Sequence, residues 1–274
     1  MPAPQASMMK QLARLKFTSF ALKAGHAKTD VNGHYNKGFK SDELGVPPGM
    51  PPLFQPTNPN KYSVDTQKMH IDKIGSFIDG ICTAICDAWG QWQSAATMVG
   101  VVIAGPVATV GQVVGIPLMP LIMASAPKET PMLLKYSNVV ATVFGNAWLA
   151  YTATIKVPGL PWYPAFAAVP SPVAPPMPNT PVPVIALTQV TASLMPAAMQ
   201  GQMVGMLGDP TAPFHSKLFE AICDAIDKCF TIWQASTMVT NVLGTGPVPV
   251  FAPPYVPVGP VVGGVGTMTP GGFT

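Results

Sequence analysis

Two stretches of this chain are written from one template, and that constrains the fold more than any other feature. GICTAICDAWGQWQSAATM runs from Gly80 to Met98, and AICDAIDKCFTIWQASTM from Ala221 to Met238. At one constant offset, Phe77-Ile78-Asp79-Gly80-Ile81-Cys82 falls on Leu218-Phe219-Glu220-Ala221-Ile222-Cys223. Ile85 falls on Ile226, Trp89 on Phe230 and Trp92-Gln93 on Trp233-Gln234. After one compensated gap, Gly105-Pro106-Val107 falls on Gly246-Pro247-Val248. Two unrelated amphipathic helices would not bring a Gly-Pro-Val to the same offset. The repeat therefore marks a structural unit.

Each unit reads as a helix followed by an extended segment. Ile71, Ile74, Ile78, Ile81, Ile85, Ala88 and Trp92 recur at three- and four-residue steps, which is one apolar face of a helix beginning near Met69. After the second helix, GPVPVFAPPYVPVGPVVGGVG (Gly246–Gly266) carries prolines at 247, 249, 253, 254, 257 and 260. Proline donates nothing to a sheet ladder, so edge strands or polyproline-II segments are expected there, not a central strand. Such a unit cannot bury itself alone, and copies must pack around a shared axis. A third, more divergent copy is read at Val139–Gly159 around Trp148. NTPVPV (Asn179–Val184) there resembles TGPVPV (Thr245–Val250), and LPWYPAFAAVPSPVAPPMP is an insertion. Two units are the alternative. The expected fold class is α+β, with internally repeated units of an amphipathic helix and a Pro/Val/Gly-rich β or polyproline segment in pseudo-threefold array. The corresponding domains are an extended basic and Pro-rich arm (1–68), a first repeat (69–127), a divergent middle repeat (128–208) and a third repeat (209–274). The arm has patchy helical periodicity at Met8, Met9, Leu12, Leu15 and Leu22, and its residues 1–62 are expected to order only against other chains.

Charge is scarce and one-sided. Charged residues make up 10% of the chain, against about 25% in ordinary domains. Of the 27, 17 precede Trp89 and none follows Lys228. The apolar remainder needs cover from partner chains or lipid. Lys10, Arg14, Lys16, Lys23 and Lys28 face only Asp30 in the first thirty residues, a basic arm that suits phosphate, acidic protein surface or plain solvation. A net charge of +3 argues against a nucleic-acid partner. Ser94–Pro127 holds no charge, yet Pro106, Pro117 and Pro120 interrupt it, which a membrane-spanning helix tolerates poorly. No secretory leader is legible, and four cysteines make no disulfide framework, so synthesis in the cytoplasm is expected.

No catalytic, cofactor-binding or metal-binding residue is assigned, no cofactor is expected and the chain is read as no enzyme. His26, His34, His70 and His215 stand in no metalloprotease motif, and there is no Walker loop. The residues singled out are structural repeat anchors: Cys82, Trp92, Trp148, Cys223 and Trp233. For the cysteines, Cys86 and Cys229 included, a zinc site or an inter-repeat disulfide stands beside the favoured reading of buried thiols. For the tryptophans, a ligand platform stands beside the favoured core anchor at each helix end. Asp79, Asp87, Glu220, Asp224 and Asp227 are read as exposed helix charge, not acid–base pairs.

MVGMLGDPTAPFH (Met203–His215) resembles the VGDPT…H signature of PAAR-type tip proteins, which sharpen the spike of contractile injection systems and phage tails. The resemblance implies a small cone of three pseudo-equivalent β units seated on a trimeric spike, often closed by a metal. Only His215 matches that family's histidines, and the long helices and the arm depart from its pattern. The function expected is a non-enzymatic structural component of a phage-like or secretion-related assembly, a spike tip or spike-associated plug. Its partners would be structural proteins of that assembly, a homotrimeric spike among them. It would be placed in the particle or apparatus, with extracellular delivery and membrane contact open. The alternative is a membrane-active pore or effector delivered by such an assembly.

Overall fold

The computed structural model describes residues 3–20, 60–209, 214–252 and 256–274, which form a mixed α and β architecture. Helices alternate short and long. A short α1 (Ala6–Ser19) precedes a long α2 (Asn60–Ala95), α3 (Leu118–Ser125) precedes α4 (Pro131–Thr154), and α5 (Pro196–Leu207) precedes α6 (His215–Ser236). Each short helix lies against two long ones: α1 against α2 and α6, α3 against α2 and α4, α5 against α4 and α6. Local chemistry sets the boundaries. Thr130 caps α4 by accepting a hydrogen bond from Leu133 N, with Pro131 at the first helical position. Gly208 closes α5 at φ 59°, a left-handed turn that costs glycine nothing.

Each long helix passes almost directly into a strand. The strands are β1 (Thr97–Ala104), β2 (Val107–Val114), β3 (Val157–Leu160), β4 (Val173–Met177), β5 (Val182–Pro183), β6 (Met238–Val239), β7 (Val242–Pro247), β8 (Phe251–Ala252), β9 (Val256–Pro257) and β10 (Val262–Met268). Six of them form one antiparallel sheet in the order β3-β2-β1-β10-β7-β4, while β5–β6 and β8–β9 pair separately. Both edge strands come from the single stretch 157–177, so the sheet curls back on itself. Tyr163, between them in sequence, sits inside the curl. Its hydroxyl donates to Val242 O (2.6 Å) and its N–H to Pro106 O (3.0 Å). Glycines make room for it: a Cβ at Gly244 would fall 2.7 Å from the Tyr163 ring.

Prolines follow the ladder rule at the sheet's edges, but β7, a strand between β10 and β4, ends on Pro247, and the expectation of no central strand in 246–266 needs correcting. Pro158 lies in edge strand β3, and Pro175 and Pro176 in edge strand β4. The proline-dense 247–260 holds only the end of β7 and the two-residue β8 and β9. Just past Pro260, however, β10 is a central strand between β1 and β7, where no central strand was expected. Val262 to Met268 contains no proline, so every ladder donor is present.

The N-terminal arm also needs correcting. Residues 6–19 are a helix with Met9 and Ala13 fully buried, so this part is ordered by the chain's own core. The long helix starts at Asn60, ahead of Met69, and ends at Ala95 before β1. Residues 21–59, which carry the rest of the arm with His26 and His34, lie outside the described residues.

Candidate functional site

The long helices end in a layer of indoles. Trp89 and Trp92 come from α2, Trp148 from α4 and Trp233 from α6, and none is more than 2% exposed. Ring centroids are 4.8 Å apart for Trp92–Trp148, 5.4 Å for Trp148–Trp233 and 6.2 Å for Trp92–Trp233, with tilted or edge-on geometry. Trp89 lies 4.6 Å from Trp148. All three predicted tryptophan anchors therefore meet, and burial keeps their faces from any external ligand. Hydrogen bonds fix the layer's rim. Trp233 Nε1 donates to Gln93 Oε1 (2.9 Å), and Gln93 Nε2 donates to the carbonyl of Phe273 (3.1 Å), whose ring lies 5.7 Å from Trp92. Gln234 Nε2 and the Tyr151 hydroxyl both donate to Gln189 Oε1, at 2.9 and 2.6 Å. Sequence reading found the indoles by their place at the ends of helix faces. It missed Gln189 and Phe273, which have no counterpart in the repeated phrase.

The other two anchors lie deeper in the helices. Cys82 and Cys223, with Cys86 and Cys229, are buried free thiols. Burial pushes Cys86 and Cys223 up to about 12 and Cys229 up to about 11, and raises Cys82 as well. The Cys86 thiol faces Met9 Sδ (3.7 Å) and the Cys223 thiol faces Met203 Sδ (3.8 Å), so the sulfurs join short helices to long ones. Among the described residues no group of three or more His, Cys, Asp or Glu is arranged to hold a metal. The stretch resembling the tip-protein signature spans the end of α5 and the start of α6, with His215 opening α6; residues 210–213 lie outside the described residues.

Charge separates the two ends of the molecule. Arg14 of α1 grips Asp79 of α2 with two of its guanidinium nitrogens, Nε to Oδ1 at 2.7 Å and Nη2 to Oδ2 at 2.6 Å. That hydrogen-bonded guanidinium holds the Asp79 carboxyl below its usual range. Lys16 reaches Glu220 (3.3 Å) and Asp224 (3.8 Å) of α6. Two of the arm's cations thus meet acidic groups of the chain itself, and three carboxylates read as solvated charge are fastening points for α1.

The strands, by contrast, contain no charged residue, and none occurs in 157–208 or after Lys228. Their inner face is packed by Met98, Val101, Ile103, Ala108, Val242 and Met268. Their outer face shows Val102 at 43%, Val110 at 52%, Val173 at 56% and Val265 at 59% exposure. Val110 is held at φ 66°, a region a β-branched residue occupies only under strain. At the opposite end of the long helices an apolar hollow of about 400 Å³ lies among Phe17, Ile74, Phe77, Leu133, Tyr136 and Leu218. No carboxylate is among the residues described around it. Among the described residues no helix is long and apolar enough to cross a membrane. The chain matches no protein-family model, no curated protein and no solved structure.

Proposed function

We propose that the chain is built of three pseudo-equivalent units around one axis and that it is a non-enzymatic structural component of a phage-like or secretion-related assembly, a tip or plug seated on a homotrimeric partner. Each unit is a short helix, a long helix and the strands that follow it. The observation that carries this reading is the cyclic order of packing. The three short helices occupy the three grooves between α2, α4 and α6, and each long helix delivers one of Trp92, Trp148 and Trp233 to a common layer. The sheet order supports it, since strands of the middle stretch (β3, β4) flank those of the first (β2, β1) and last (β10, β7). A chain with three similar faces has its natural seat on a true threefold axis, and one copy then fills the seat.

The test is composition. The tagged chain, purified from the cells that make it, is released intact into a native mass spectrometer. One copy bound to three copies of a single partner subunit is the expected result. A one-to-one complex, or a chain that carries no partner and makes vesicles leak, overturns it and leaves the membrane-active reading ahead.

A further inference from the structure

We infer that the sheet end, and not the helical end, meets the partner, and that the partner receives it in a socket lined by uncharged apolar side chains. The inference rests on the three-unit reading above and adds the surface and its chemistry.

Three observations point there. First, the outer wall of the sheet carries exposed valines, beside uncharged Gln112 and Thr267, on strands from all three stretches: Val102 and Val110 on the first, Val173 on the middle and Val265 on the last. A partner touching one strand would leave the others bare, so cover must come from around the curl. Second, charge complementarity selects the lining. The strands carry no charge, and a partner lysine or carboxylate buried against them would lose its hydration with nothing to pair. The helical end is the reverse case, with Arg14, Lys16, Asp79, Glu220 and Asp224 already engaged with one another. Third, prolines in β3 and β4 remove ladder donors from both edges, which disfavours strand addition and leaves the wall as the way the sheet itself can dock.

Photo-crosslinking in the producing cells tests this. A photoreactive phenylalanine replaces Val102, Val173 or Val265, one in each proposed unit, and Leu15 on α1 as the helical-end control. All four side chains are exposed, so folding is retained. The expected result is that the three sheet positions each label the same peptide of one partner subunit, because its three copies are identical, while Leu15 does not label it. In parallel, Val265→Lys should lower the co-purified partner at least tenfold with an unchanged melting temperature. Labelling from Leu15 alone, in a complex that keeps one chain to three partners, overturns the socket and leaves the proposed function standing. Sheet positions that label unrelated proteins, or a second copy of the chain, overturn both. So does the absence of any protein adduct together with flotation on phosphatidylcholine–phosphatidylglycerol vesicles.

Discussion

The helical and sheet ends of this molecule solve the same problem, burying apolar surface, by different means. The helices bury it with large side chains: four indoles, thiol–thioether contacts and an ion-paired clasp through α1. Their outward surface carries the charges that keep a protein in water. The sheet buries its inner face around the Tyr163 ring, using glycines where that ring and neighbouring backbone approach, and leaves valines outside. The helical end pairs its charges internally through the α1 clasp, while Leu15 and the hollow beside Phe77 stay open there. The sheet end is satisfied inside and unsatisfied outside, which is why the proposed docking surface falls there.

The largest difference should appear on removing volume. Trp148→Ala empties the centre of the indole layer and should cost about 3–5 kcal/mol, enough to abolish most of the stability of an ordinary domain. Val265→Lys should stay within about 0.5 kcal/mol, since its side chain is over half exposed. Urea unfolding of the two variants side by side checks this. Equal losses would show that the outer wall is packed by the chain itself.

Adding volume should hurt the sheet instead. A Cβ at Gly246 would collide with Gly264 Cα and lie 2.7 Å from Val261 Cγ1. Gly246→Ala is therefore expected to cost about 1–3 kcal/mol. Gly201→Ala, in helix α5 with open space around it, should be neutral or stabilising. A neutral Gly246→Ala would mean that β7 and β10 can separate at no cost. Relief of strain is the next smaller effect. Val110→Gly should stabilise the isolated protein by up to about 1 kcal/mol, because glycine accepts a positive φ that valine resists. If Val110→Gly instead lowers the melting temperature, the valine's contacts outweigh its backbone strain.

The smallest effect belongs to the clasp. Asp79 is depressed by Arg14, so its folded pKa lies below its unfolded one. The stabilisation is present above the unfolded value near 3.8 and is lost as pH falls through the folded value. Both partners are more than a third exposed, so Asp79→Asn should cost less than about 1 kcal/mol at neutral pH, and less again in high salt. Comparing wild type and Asp79→Asn between pH 6 and pH 2 should show their stabilities converging on the acid side. Parallel curves would remove the ion pair from the account.

Much of the helical end was legible because a 3.6-residue period and a repeated phrase are local signals. The buried faces of α2 and α6 and the placing of Trp92, Trp148 and Trp233 follow from them. The contribution of α1 was not legible, since Arg14 and Lys16 find partners far along the chain and only the fold brings them together. Proline spacing was read at Gly246–Gly266, yet the sheet's edges are β3, at the close of the middle repeat, and β4, in the stretch read as an insertion, while Val262–Met268 is central. No role for Gly244, Gly264 or Gly266 was read from the sequence, and Gly246 was read only as part of the repeated Gly-Pro-Val. Their reason is the close approach of Tyr163, Ile103 and Val261, which is visible only in three dimensions.

The claim on which the rest depends is the threefold relation of the units, and its most direct test is an electron-microscopy reconstruction of the chain bound to its partner. Residues 77–107 would be superposed on 218–248, and the α3–α4–β3 stretch on each. The account predicts rotations of about 120° about one axis that coincides with the threefold axis of the partner. A rotation near 180°, or an axis unrelated to the partner's, would contradict it.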